Sequence, residues 1–248
     1  MNQVLNILLL SLIAGLATGI GGLVVVFRRP GKKTLGLMMG LAAGVMITLS
    51  FTQLLPEAIH TGGFYTALIG FILGSAFMFL IDEFFPHQHF AVKEKGIINP
   101  KLFRTGMLIM IGILIHNIPE GIAVGAGYLH MPKFGILIAI AIALHNIPEG
   151  IATVVPLCAA GCSRLKAFKL ALLSGLAEPV GAVVAALFLK NFIGLIPGAL
   201  AFAAGVMIFI TLDELVPIAH EHGHAHMISL GTLIGIVLML SVSHFFGV

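Results

Sequence analysis

His116–Ala123 reads HNIPEGIA, and His145–Ala152 repeats it letter for letter. Each copy interrupts an apolar run with an imidazole, an amide, a proline and a carboxylate. His and Glu are four residues apart and Asn and Glu three, so on a helix all three side chains share one face. Pro119 and Pro148 offer no N–H to the carbonyls of Ile115 and Leu144 and press against them. Each helix is therefore expected to open locally and free a carbonyl.

The surrounding composition is that of a membrane protein. Of 248 residues, 59% are hydrophobic and 9% charged, none is Trp, and the mean hydropathy is +1.12. Soluble domains do not have this composition. A span needs roughly 20 apolar residues to cross about 30 Å of hydrocarbon. Eight such runs are legible: Val4–Phe27, Thr34–His60, Phe64–Phe85, Phe103–Tyr128, Phe134–Leu157, Leu165–Leu189, Phe192–His220 and Met227–Phe246. The expected fold is an all-α polytopic membrane protein of eight transmembrane helices, one domain over residues 1–248. The first run reads as a retained helix, because Arg28 and Arg29 follow its apolar core instead of preceding it.

Of the 13 Lys and Arg residues, all but Lys133 and Lys190 fall in the first, third and fifth connections. The positive-inside rule then places those connections in the cytoplasm and both termini outside it, in a cell (inner) membrane. Basic residues here report topology, and no aromatic-plus-basic face suggests a nucleic-acid partner.

Further self-similarity surrounds the doubled octapeptide. AAGVMI occurs at Ala42–Ile47 and Ala203–Ile208, and the shift between the two copies also carries Pro56 onto Pro217. GLA recurs at Gly15–Ala17 and Gly175–Ala177, and LIG at Leu68–Gly70 and Leu233–Gly235. Helices one to three thus echo six to eight, five helices apart, which reverses the direction of crossing. A 3+2+3 inverted repeat follows, with residues 1–85 and 165–248 flanking a central pair at 103–158, an organisation typical of transporters. The two octapeptide histidines lie equally far from the external turn, His116 ahead of Tyr128 and His145 beyond Lys133. At about 1.5 Å per residue each stands about 18 Å from that turn, near mid-membrane.

Ionisable groups at that depth are costly and functional by default. His116, Asn117, Glu120, His145, Asn146 and Glu149 are candidate metal ligands, joined by Glu178 beside Pro179 in GLAEP and by Met46 in AAGVMI. Carboxylate, imidazole and amide donors suit Zn(II), Fe(II), Mn(II), Co(II) or Cd(II) as cargo; Cu(I) would want thiolates. Glu120 and Glu149 could bridge two ions. For Met46, packing competes with a soft-ligand role.

These motifs, with LLPEA at Leu54–Ala58, resemble the ZIP family of divalent-metal transporters, its bacterial ZupT-like branch in particular. The eukaryotic HExPHE pattern is excluded by HNIPEG, and Gln53 stands where many relatives carry His before LLPEA. The resemblance implies import of divalent metal into the cytoplasm by alternating access, with no catalytic cofactor. It places His116, Asn117, Glu120, Asn146, Glu149 and Glu178 in a mid-membrane metal site, with Met46 at a second-helix ligand position. It also implies a homodimer, and a bundle of helices one, four, five and six moving against the rest.

A path is expected on either side of that site. Gln53, Glu57 and His60 form a candidate entrance, and Asp213, Glu214, His220 and Glu221 a candidate exit. DEFFPHQHF, with Asp82, His87 and His89, and HEHGHAH, with His220, His222, His224 and His226, read as cytoplasmic metal-capture segments. His130 and His244 read as surface or packing residues. Cys158 and Cys162 read as a reduced structural pair. A membrane metalloprotease would need HExxH, which neither octapeptide supplies; a selective channel is the other alternative, distinguished by its kinetics.

Overall fold

The computed structural model describes residues 3–28, 30–84, 97–222 and 224–247, apart from the side chains at 218, 221 and 222, and its elements are helical. Among the described residues, eight helices are long and apolar enough to cross a membrane. They are α1 (Gln3–Phe27), α2 (Lys32–Gly62), α3 (Phe64–Phe84), α4 (Pro100–His130), α5 (Pro132–Ala159), α6 (Arg164–Leu189), α7 (Ile193–Leu215) and α8 (Ala225–Phe246). Helical geometry continues from α7 through Val216–His222. Of the expected inner path and capture segments, His87, His89 and the side chains of Glu221 and His222 lie outside the described residues.

Local chemistry sets the helix ends. Asn99 caps α4 by accepting from the Leu102 N–H at 3.1 Å, and Pro100 occupies the first turn, where its missing donor costs nothing. Extended Met131 (φ −152°, ψ 121°) alone separates α4 from α5, which starts on Pro132. So short a turn makes α4 and α5 antiparallel neighbours and brings the octapeptides to one depth.

Pro119 and Pro148 withhold a donor from the Ile115 and Leu144 carbonyls, as expected, yet α4 and α5 run through both prolines without the local opening. The neighbouring backbones explain the difference. Two residues beyond each proline, Gly121 lies against the Glu178 carbonyl of α6 and Gly150 against the Thr18 carbonyl of α1, so closely that neither site has room for a Cβ. Opening either helix would pull it off a packed partner. The irregularities fall elsewhere. In α2 a π-helical turn spans Ser50–Leu54, with the Leu55 N–H reaching the Ser50 carbonyl. In α7 the same geometry spans Thr211–Leu215, with the Val216 N–H reaching Thr211. Pro56 and Pro217 follow these turns, and the wider turn relieves the clash between each ring and the carbonyl four residues back. The shift that carries one AAGVMI onto the other also carries one π turn onto the other. Helix α6 is interrupted at Leu176, shortly before Glu178.

Two four-helix groups result. In one, α1 packs on α5 and α4 on α6; in the other, α2 packs on α8 and α3 on α7. The groups meet chiefly through α2 against α5 and α4 against α7. Helix α5 is the most enclosed of the eight, whereas α3 and α8 present side chains such as Leu73, Phe79, Leu233 and Val237 outward. The apolar exterior suits a hydrocarbon solvent, and the polar octapeptides are left at the centre.

Candidate metal centre

The shared helical face expected within each octapeptide turns inward. His116, Asn117, Glu120, His145, Asn146, Glu149 and Glu178 are all at 0% exposure. The two helices pair their side chains crosswise: His145 Nε2 is 2.9 Å from Glu120 Oε1, and His116 Nε2 is 3.4 Å from Glu149 Oε2. The first is a hydrogen bond. The second is too poorly aligned to be one, since both atoms are without a hydrogen-bond partner. Two ligands of a tetrahedral zinc ion, each about 2.0–2.2 Å from the metal, stand roughly 3.4 Å apart, and the His116–Glu149 separation matches that edge.

His116, Glu120 and Glu149 each present a ligand atom within 4.8 Å of the others, the one such three-residue group among the described residues. Around it collect buried atoms with no hydrogen-bond partner: both His116 nitrogens, His145 Nδ1, Glu120 Oε2, both Glu149 oxygens, Glu178 Oε1 and the side-chain oxygens of Asn117 and Asn146. Orphaned buried polar atoms are rare and expensive, and so dense a group marks a site that awaits a partner. No Lys or Arg is among the buried polar residues described, so three buried carboxylates have two imidazoles and no fixed cation. Protons or a divalent ion must neutralise them.

The amides are aimed by their neighbours. Asn117 Nδ2 donates to the Ser174 carbonyl at 2.9 Å, and Asn146 Nδ2 donates to the Ala14 carbonyl at 2.9 Å. Each amide thus donates to a backbone carbonyl in the adjoining helix and keeps its oxygen, a metal-competent donor, without a hydrogen-bond partner. Asn146 also donates to Glu178 Oε2 at 2.9 Å. Glu178 therefore reaches the centre through Asn146, and the break at Leu176 sets it on the first turn of the second half of α6.

Met46 is buried and its sulfur accepts from the Thr211 hydroxyl at 3.6 Å, a contact between α2 and α7. Gln53 is buried in the π turn of α2, nearer its Gly62 end than Met46, and His60 is exposed. Toward the Pro100 end of α4, the Glu214 carboxylate lies 3.2 Å from where a Cβ on Gly112 would stand, one turn before His116. Asp213 is exposed, as is His220, whose Nδ1 lies 2.8 Å from the Val216 carbonyl. Cys158 and Cys162 are buried and are not joined in a disulfide.

One pairing escaped the sequence reading. His130, taken for a surface or packing residue, has its Nε2 2.7 Å from Glu57 Oε1. No spacing along the chain could reveal it, because it depends on where α2 passes the end of α4.

Comparison with known proteins agrees with this geometry. A family model described as ZIP Zinc transporter matches residues 92–243. A protein of Corynebacterium aurimucosum called zinc transporter ZupT is 42% identical over 247 residues, covering 93% of each chain. Proteins of the same name from Akkermansia muciniphila and Lysinibacillus sphaericus are 41% and 43% identical. The first covers 97% of both chains; the second covers 94% of this chain and 96% of its own.

Proposed function

The chain belongs to the ZIP zinc transporter family, and we propose that it imports divalent transition-metal ions, Zn(II) foremost and Fe(II), Mn(II), Co(II) and Cd(II) besides, into the cytoplasm. His116, Asn117, Glu120, His145, Asn146, Glu149 and Glu178 hold the ion in mid-membrane, with Met46 at the edge of the site. The observation that carries this reading is the crossed pair of His–Glu contacts, fully buried, with unpartnered donor atoms on every side. Such a centre holds a borderline divalent ion well and a hard, hydrated Mg(II) poorly.

Transport by alternating access in a 3+2+3 inverted repeat, with residues 1–85 and 165–248 flanking the 103–158 pair, is supported by the two matched π turns. The packing adds support: exchanging the repeats turns α1 on α5 into α6 on α4, and α2 on α8 into α7 on α3. Gln53 and Glu57 lead in from outside; Glu214 and Asp213 lead out, toward His220, Glu221, His87 and His89. The active form is a homodimer in the inner membrane with both termini outside, which labelling of a C-terminal cysteine by an impermeant reagent on intact cells would check.

The test is saturable uptake by proteoliposomes offered Zn(II), Fe(II), Mn(II), Cd(II), Mg(II) or Cu(I). Uptake of the borderline divalent ions with exclusion of Mg(II) is expected; equal passage of Mg(II) would sink the reading. Acidity supplies a second expectation. Imidazole and carboxylate must lose their protons to bind metal. Lowering the outer pH from 7 to about 5.5 raises the proton concentration that competes with the metal for these ligands, and should therefore slow zinc uptake several-fold. Initial rates measured at fixed free zinc decide this, and a rate that climbs with acid would point to proton-driven import instead.

A further inference from the structure

Glu57 and His130 meet at the outer ends of α2 and α4, helices that belong to different four-helix groups. Their side chains are 24% and 27% exposed, so the pair is neither free in water nor sealed inside. The nature of the partner matters. A Lys or Arg beside Glu57 could only donate hydrogen bonds, whereas a neutral imidazole carries a lone pair for a metal ion. The His130 ring is held edge-on to Phe134, with centroids 6.0 Å apart at 85°, which steadies Nε2 toward the carboxylate. Inward of Glu57 on the same helix, Gln53 is buried, and the Ser50 hydroxyl is buried with no hydrogen-bond partner. Polar groups thus continue from the rim toward the depth of the octapeptides.

We propose that Glu57 and His130 form an outer loading site for the divalent ion, one ligand from each four-helix group. This deepens the import reading and rests on it for the identity of the ion. The two atoms stand 2.7 Å apart, and an incoming ion parts them, sends any proton between them to the surrounding water and takes both as ligands. With two protein ligands and water completing the shell, the site holds its ion loosely, as a loading site must; tight structural zinc sites use four protein ligands. Because the ligands come from both groups, relative motion of the groups separates them and releases the ion inward.

The test measures zinc uptake against zinc concentration in proteoliposomes of the full chain. His130→Ala and Glu57→Gln are each expected to raise KM about 10-fold, at the lower end of what altered metal-site residues cost, with the loss shrinking at saturating zinc. The double variant should be no worse than either single one, because both break one site. His130→Cys, which keeps a zinc ligand, should restore KM; His130→Gln, which keeps a hydrogen-bond partner for Glu57 without a good ligand, should not. Restoration by Gln but not by Cys would overturn the proposal in favour of a structural pair, as would KM values within twofold of the unaltered chain. A binding measurement separates this proposal from the transport reading. In a Glu120→Ala, Glu149→Ala background, titration with Cd(II) should lose one equivalent on adding His130→Ala. An unchanged stoichiometry overturns the outer site. Its loss in a chain whose unaltered form transports nothing would uphold the outer site while the import reading fails.

Discussion

Glu149→Ala is expected to abolish zinc uptake, with a loss exceeding 100-fold at every zinc concentration, while the protein still inserts and folds. Both Glu149 oxygens are buried and without hydrogen-bond partners, so the side chain makes little contribution to folding that alanine would forfeit. Its charged neighbour is His116 at 3.4 Å, a contact outside hydrogen-bond alignment, so alanine forfeits that one pairing while lifting the desolvation cost of a buried carboxylate. What alanine does remove is a charged ligand from the one compact His–Glu group among the described residues. Outer-shell changes at metal sites cost about 10–100-fold, and the loss of a direct carboxylate ligand exceeds that. The crossed geometry ranks the companion variants. Glu120 shares Oε1 with His145 at 2.9 Å, so Glu120→Ala should be as inactive and also less stable, having orphaned an imidazole. Glu149→Gln, which keeps shape and loses charge, should resemble Glu149→Ala. Uptake assays paired with size-exclusion profiles test this, and Glu149→Ala protein that transports within twofold of the unaltered chain would remove the central claim.

The convergence of these side chains could be read from the chain because helical spacing fixes which of them share a face, and the octapeptide declares its spacing twice. The one-residue turn at Met131 then leaves no freedom about their relative depth. The repeat offset was legible for the same reason, and it proved to join the two π turns, although nothing in SFTQL or TLDEL announces a wider helix. The prolines misled because Pro119 and Pro148 were judged by their own helices. The packing of Gly121 on α6 and Gly150 on α1 belongs to pairs of helices, and periodicity within one helix is silent about it. His130 was missed likewise: its partner Glu57 lies far back along the chain, on a helix of the other group.

Gly150→Val is expected to disrupt the fold as thoroughly as Glu149→Ala disrupts transport. A Cβ on Gly150 would fall on the Thr18 carbonyl oxygen and within 2.9 Å of the Gly22 nitrogen, both backbone atoms of α1. A side chain could rotate aside; a helix backbone can only move bodily. Crowding a packed core by even a few methylenes costs about 1–3 kcal/mol, and a β-branched group set against rigid backbone lies at or beyond the top of that range. Native proteins have only about 5–15 kcal/mol in hand. Gly150→Val should therefore yield aggregated protein or a melting temperature lower by many degrees, with Gly150→Ala intermediate. Gly194→Ala is the control, since nothing lies within 4 Å of a Cβ there, and it should be indistinguishable from the unaltered chain. Melting curves in detergent decide the matter, and an unshifted Gly150→Val curve would falsify the close approach of α1 to α5. The consequence reaches function because Gly150 directly follows Glu149. Pushing α5 off α1 by about 1 Å displaces that carboxylate from His116, and misplacements of that size cost on the order of 100-fold where geometry governs rate. Gly150→Ala, if it folds, should thus show weaker zinc uptake with every ligand still present.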